Sequence, residues 1–254
     1  MIETQDHGPA IRELRLNRPP ANALSPGLIS ALTEAVRAAP GDGIRALILS
    51  GSPGRFSGGL DVPLLVELDR AAIAAVWASF YDLMQALAAS PIPIAAAITG
   101  HAPAGGTVLP LFCDWRGVAA GDWRLGLNEV QVGLALPPVI HRVLRRQVGA
   151  RQAERLAVGG ILISPEEALR IGLVDEIIPA ESLLQRAIDW CKGLLALPVQ
   201  AMAVTRQRAR ADLIELLEQD AEGEVDKVVE SWWSEETQKV LRELVERLRK
   251  KKPA

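Results

Sequence analysis

At 254 residues, 49% hydrophobic and 23% charged, the chain has the makeup of a water-soluble globular protein with room for a large core, which excludes a fibrous, disordered or disulfide-stapled one. A net charge of -3 supplies no field that would draw it onto nucleic acid or an anionic membrane, so neither is expected as a partner. Cys113 and Cys191 lie far apart without metal-ligand spacing; no metal site is expected, and buried thiols in a reducing, cytoplasmic setting are.

The amino terminus, Met1 to Gly8, is polar and lacks the apolar stretch of a secretory signal. Ala10 to Leu16 alternates apolar and polar residues as a half-buried strand does. Pro26 to Ala39 reads as an amphipathic helix with Ser25 as its N-cap and Pro26 at the first position. Ile44 to Leu49 is a buried-strand run, a helical stretch covers about Arg70 to Ala88, and a second buried strand spans Ile92 to Ile98, too short to cross a bilayer. This alternation predicts an α/β core.

Beyond Pro138 the chain turns helical. Ser164-Pro165-Glu166-Glu167 has capping-box spacing and Gly172 is placed to end that helix. Leu173 to Ile178 predicts one more short strand. From Glu181 to Lys250 four helical segments are expected, with breaks near Pro198, Asp212 and Ser231-Trp232-Trp233-Ser234. A composition shift near residue 195 divides an α/β core over 1–195 from a helical appendage over 196–254.

Chemistry is suggested by two glycine-bearing loops, Phe56-Ser57-Gly58-Gly59-Leu60-Asp61 and Gly100-His101-Ala102-Pro103-Ala104-Gly105-Gly106, each directly after a predicted strand. Adjacent glycines permit positive φ and can aim backbone N–H groups outward, and a helix opening near Gly106 adds unpaired N–H groups favourable to a developing anion. Glu129 follows in Leu125-Gly126-Leu127-Asn128-Glu129-Val130, where it reads either as a solvated surface residue or, tucked among apolar neighbours, as a carboxylate with its pKa raised toward that of a proton shuttle.

Taken together, Leu16-Asn17-Arg18-Pro19, Asn22-Ala23-Leu24-Ser25, the two loops, Cys113-Asp114 and Ser164 to Glu176 resemble the enoyl-CoA hydratase/isomerase, or crotonase, superfamily, from about Ala10 to the carboxy end. The resemblance implies a spiral of ββα turns, a helical trimerisation region at the carboxy end and an assembly as a homotrimer or dimer of trimers. It implies an acyl-CoA thioester as substrate, with no separate cofactor since CoA arrives as part of it. The thioester oxygen would lie between the N–H groups of Leu60 and Gly105, with Glu129 as acid/base. Substrate contacts would come from Ala23, Ser57, Gly58, Gly59, Asp61, Gly106 and Asn128.

Hydratases of this family carry two glutamates, and the first position falls here on Val108, which cannot hold a proton. A double-bond shift needs only one base, which takes a proton from C2 of a 3-enoyl-CoA and returns it to C4. The loops, Gly126-Leu127-Asn128-Glu129 and the last helix, Glu235 to Lys251, are similar to Δ3,Δ2-enoyl-CoA isomerases of the mitochondrial type, and isomerisation is the expected activity. Hydration, other thioester chemistry, or acyl-CoA binding without turnover are the alternatives.

Other residues take secondary roles. Asp61 is expected to tie down the first loop by accepting hydrogen bonds. Asn128 reads either as a turn-former or as a side chain that orients Glu129 or contacts the thioester. His101 reads as a loop-packing histidine, while His7 and His141 have no evident partner. Trp232 and Trp233 are expected in a core or subunit contact. Arg142, Arg145, Arg146, Arg206, Arg208 and Arg210 are read as solvated helix faces, with CoA phosphates as the alternative.

Overall fold

A computed structural model describes residues 1–218 and 221–250. Its larger sheet contains β1 (Ile2–Asp6), β2 (Ile11–Leu16), β3 (Ala46–Ser50), β5 (Ile94–Ile98), β7 (Trp115–Ala119) and β9 (Glu176–Ile178), in that spatial order. The β1–β2 pair is antiparallel and the remaining pairs are parallel. A second sheet holds three short parallel strands, β4 (Gly54–Arg55), β6 (Gly100–Pro103) and β8 (Leu125–Gly126), ordered β4-β6-β8.

The two sheets are interleaved along the chain. Each of β3, β5 and β7 runs on into the short strand that follows it, and a helix then returns the chain. The helices are α2 (Val62–Leu65) and α3 (Arg70–Ala89) after β4, α4 (Gly105–Leu111) after β6, and α5 (Pro138–Val148) after β8. Three successive ββα turns result, which is the expected spiral.

β3, β5 and β7 are buried at every residue because both faces of the sheet are covered. One face, with Leu47, Leu49, Ile94, Ala96, Ile98 and Val118, packs against α3 and α1 (Pro26–Ala38). The other, with Ile48, Ala95, Ala97, Trp115 and Ile178, is covered by Leu183, Ala187, Ile188 and Cys191 of α8 (Leu183–Leu195). α1 opens as expected, Ser25 accepting from the Leu28 N–H. By length and composition α3 could cross a membrane, with 20 residues and a mean hydropathy of 1.3, but its apolar face, including Ile73, Trp77, Phe80 and Leu87, is spent in the core.

β1 was not expected. Its sequence Ile2-Glu3-Thr4-Gln5-Asp6 lies at the sheet edge with only Ile2 half-buried, so no apolar alternation marks it. After α6 (Ala150–Gly159) and α7 (Pro165–Arg170, capped by Ser164) the carboxy end forms α8, α9 (Val199–Ala209), α10 (Ala211–Glu218), α11 (Ala221–Trp232) and α12 (Glu235–Lys250). Breaks fall near Pro198, before Asp212 and at Trp233-Ser234 as expected; α10 is described to Glu218 and α11 from Ala221, with 219–220 outside the described residues. Lys251, the expected end of the last helix, is likewise outside them. Trp232 is fully buried and Trp233 half-buried against the core.

Arg206 of α9 and Arg210 at its C-cap correct a sequence reading. Arg206 and Arg210 are neither a solvated face nor free for phosphate: both pair with Asp114, Arg206 through Nε at 2.8 Å and Nη2 at 2.9 Å, Arg210 through Nη1 at 3.2 Å. Asp114 also accepts from the Ile94 N–H. α9 buries no apolar residue, so this ion cluster rather than an apolar stripe fastens it to the core. Arg146 pairs with Asp212 at 2.7 Å. His7, which had no partner in sequence, meets the buried Glu13 at 3.0 Å.

Candidate active site

The small parallel sheet explains why three distant segments meet. Parallel strands end on the same side, and the chain leaving each carboxy end here carries one candidate segment. β4 feeds Phe56–Leu60, β6 feeds Ala104-Gly105, and β8 feeds Asn128-Glu129. Register is set by Gly54↔Gly100 and Arg55↔His101 on one side of β6, and by Ala102↔Leu125 and Pro103↔Gly126 on the other.

The first loop is wired from below by Asn22, a buried residue that sequence reading left in a motif without a role. Its left-handed backbone, φ 49°, turns the side chain inward. The Asn22 amide donates to the carbonyls of Arg55 at 3.2 Å and Phe56 at 3.1 Å, and its oxygen accepts from the Arg18 N–H at 2.8 Å. Ser57 is fully buried; its hydroxyl donates to the Asn22 carbonyl at 2.8 Å and accepts from the Gly59 N–H at 3.2 Å. Ser57 thus lies beneath the loop, while Gly58 is exposed on it, its N–H bonded to the Ala21 carbonyl at 2.8 Å. Asp61 caps α2 through the Leu64 N–H and pairs with Arg18 at 2.6 Å. Ala23 is half-buried, its carbonyl held by Arg18 at 3.1 Å.

Leu24 pairs with the far end of the loop. Its N–H donates to the Gly59 carbonyl at 2.8 Å and its carbonyl accepts from Asp61 at 3.1 Å. Along an extended chain successive groups alternate in direction, so the intervening Leu60 N–H faces away from Leu24. Gly105 lies within reach of that N–H: a Cβ built on Gly105 would stand 3.5 Å from Leu60 N, and one built on Gly59 would stand 3.1 Å from Gly105 N. Gly59 also has φ +80°, so glycine is required there on both counts. Gly106 is packed just as closely, with the Ser57 carbonyl 2.3 Å from where its Cβ would be.

Gly105 is the first residue of α4, so its N–H has no intrahelical acceptor. Among the described residues, neither it nor the Leu60 N–H has a protein acceptor elsewhere. The peptide before Gly105 is held in place by Ala104, a non-glycine residue at φ 49° and ψ -123°, whose N–H donates to the Gly126 carbonyl at 2.8 Å. Such a backbone costs on the order of 1–3 kcal/mol and persists only where its surroundings enforce it. Two unpaired N–H groups, close together on rigid supports, form a cradle suited to one oxyanion.

Glu129 begins a 3-10 turn, Glu129–Val132, that ends at Gly133. The turn is braced by Gln131, which donates to the Gly160 carbonyl at 2.8 Å, and by Thr237 of α12, which donates to the Gly133 carbonyl at 2.5 Å. The Glu129 side chain is buried at 8% exposure, and its Oε2 has no hydrogen-bond partner. Burial pushes its pKa up to about 7, only partly offset by its own backbone N–H. The Asn128 Oδ1 beside it is also buried and unpartnered. Val108, where the resemblance puts a hydratase's second glutamate, is completely buried on α4.

His101 is exposed and packs edge-on against Trp123, ring centroids 5.2 Å apart, as a loop-packing residue would. Clefts of about 420 and 410 Å³ open elsewhere, along α3 beside α11, and share no residue with the three segments. Among the described residues no three His, Cys, Asp or Glu side chains gather as metal ligands would.

The chain resembles known proteins over nearly its whole length. The family model for enoyl-CoA hydratase/isomerase matches residues 6–252. The mitochondrial enoyl-CoA delta isomerase 1 of Homo sapiens is 31% identical over 250 residues, covering 97% of this chain and 83% of the relative. A probable enoyl-CoA hydratase, echA17 of Mycobacterium avium (strain 104), is 34% identical over 197 residues, covering 76% and 75%. The crystal structure of human mitochondrial delta3-delta2-enoyl-CoA isomerase superposes with a TM-score of 0.94 at 30% identity, covering 99% of both chains. With family model, relatives and whole-chain superposition in agreement, the protein belongs to the enoyl-CoA hydratase/isomerase family of the crotonase superfamily.

Proposed function

We propose that the protein is a Δ3,Δ2-enoyl-CoA isomerase. The thioester oxygen of a 3-enoyl-CoA accepts hydrogen bonds from the Leu60 and Gly105 N–H groups. Glu129, ionised, removes a proton from C2; the electron pair moves through the allyl system onto the thioester oxygen as a dienolate, and Glu129 returns the proton to C4. Each donor of such a cradle is worth about 2.7–4 kcal/mol of barrier. The observation that carries the reading is a buried carboxylate whose Oε2 has no partner and whose pKa is pushed up to about 7, while Val108 fills the place of a second acid. One base suffices for a proton shift within a single allyl unit, whereas adding water across a double bond calls for a second group to activate it.

In this reading Ala23, Gly58 and Asn128 line the acyl-CoA path, while Ser57, Gly59, Asp61 and Gly106 shape the cradle. CoA enters with the substrate, and no further cofactor is required. We also assign the helices of 196–254 to assembly as a homotrimer or dimer of trimers. Exposed Leu197, Val199 and Val204 support this assignment, and the buried free thiols Cys113 and Cys191 support a reducing, cytoplasmic setting.

The test is spectroscopic, because conjugation of the double bond with the thioester changes its absorbance. A rise with a medium-chain 3-enoyl-CoA and little loss with its 2-enoyl isomer is expected. Rapid loss of the 2-enoyl signal would instead establish hydration, the activity in the names of the mycobacterial relatives. Tight acyl-CoA binding without turnover would make the protein a binder.

A further inference from the structure

We propose that Thr107 is a positioning residue for proton transfer: its hydroxyl clips the strand that delivers Glu129 to the strand and helix that deliver the Gly105 N–H. The assignment rests on the isomerase reading of Glu129 and Gly105.

Thr107 lies in the first turn of α4, two residues past Gly105, and is buried at 3% exposure. A threonine there would ordinarily bond within its own helix, but this hydroxyl reaches two strands. It donates to the Ala102 carbonyl of β6 at 2.5 Å and accepts from the Gly126 N–H of β8 at 2.8 Å. One side-chain oxygen therefore joins α4, β6 and β8 at a single point.

That point is the last register position before β8 gives way to Asn128-Glu129. β8 is only two residues long, so few bonds fix its exit. Gly126 is crowded there, at φ +138° with the Ile161 carbonyl 2.5 Å from where a Cβ would be, and its own carbonyl holds the Ala104 N–H at 2.8 Å. Gly126 thus faces the cradle with both backbone groups engaged, one on Ala104 and one on Thr107. Losing the hydroxyl removes a buried link on each strand while leaving the cradle donors and the carboxylate chemically untouched. A displacement near 1 Å between base and substrate is enough to cost about a hundredfold in rate.

The experiment compares Thr107→Val, close in shape but without a hydroxyl, with Thr107→Ser, which restores it. Thr107→Cys, a weak hydrogen-bonding partner, gives the same ordering should the valine variant fail to accumulate. Wild type and Glu129→Gln are assayed beside them. Thr107→Val is expected to lower kcat by roughly tenfold or more with KM changed less than about twofold. The acid limb of its pH profile should move to lower pH as Glu129 gains solvent, and Thr107→Ser should recover most of the rate. Amide exchange at Gly126 should quicken in Thr107→Val and not in Thr107→Ser. An active wild type, an inactive Glu129→Gln and a Thr107→Val with unchanged kcat and pH limb would overturn the assignment alone. Equal impairment of the serine and valine variants would also overturn it. A wild type without isomerase turnover would overturn the underlying reading, and the assignment with it.

Discussion

Replacing Glu129 by glutamine should yield a protein that is catalytically disabled and, above neutral pH, more stable than its parent. The ordinary carboxyl value of 4.5 is raised to about 7 by burial. At about 1.4 kcal/mol per unit, the ionised form is disfavoured in the folded state by about 3 kcal/mol. Below pH 4.5 the group is neutral in folded and unfolded chains alike and contributes no difference. Between 4.5 and about 7 the folded chain holds the proton that the unfolded chain releases, so stability falls as pH rises. Above about 7 the loss is complete. Glutamine, which never ionises, escapes it. Denaturant or thermal unfolding of both proteins from pH 4.5 to 8.5 should show curves that start close together and separate to about 3 kcal/mol, roughly 5–10 °C in Tm. Turnover of 3-enoyl-CoA should fall by about 10²–10⁴ in the variant. In the parent, kcat/KM should climb tenfold per pH unit and level off above about 7, as the base must be ionised. A stability difference that does not vary with pH would refute burial as the cause of the shift. Full turnover by the glutamine variant would refute the assignment of the base.

Further perturbations probe the supports. Gly59→Ala places a methyl group 3.0 Å from Ala104 Cβ and 3.1 Å from Gly105 N at φ +80°, and should lower kcat by about 10²–10³ while the far-ultraviolet circular dichroism is retained. Asp114→Ala strips its carboxylate from buried Arg210 and half-buried Arg206 and should cost about 3–5 kcal/mol in denaturant unfolding; a loss under 1 kcal/mol would show that α9 is held otherwise. Tyr81→Phe removes the hydroxyl that donates to the buried Glu224 at 3.0 Å, for about 1–2 kcal/mol in stability with turnover unaffected.

What could be read from the sequence depended on how far each signal reached. Ser25 before Pro26, the apolar face of α3 and the run Ile94 to Ile98 are local signals, and the elements appear close to where the pattern put them. The apolar neighbours of Glu129 left its burial open, and the fold decided it. The strands that assemble the site, β4, β6 and β8, have two to four residues each, too few for any periodicity to register. Asn22 and Thr107 escaped notice because their partners lie on other elements, at Arg55, Phe56 and Gly126. Arg206 and Arg210 carry the spacing of a solvated face, and only the fold brings Asp114 beneath them, 92 and 96 residues away in sequence.

The cradle and the shuttle differ in what they are made of, and that sets how the scaffold can change. The groups proposed to face the anion, the N–H groups of Leu60 and Gly105, are main chain, so no exchange of side chain deletes them unless it also deforms the glycine contacts beneath. The proposed proton-handling group, Glu129, is one side chain on a separate strand exit, and position 108 is another side chain that could carry an acid. On the isomerase reading, replacements at those two places would redirect the reaction and leave thioester recognition standing. On that reading, the same frame would let chemistry change more readily than substrate class, since the group that holds the acyl carrier is main chain and the groups that act on it are side chains.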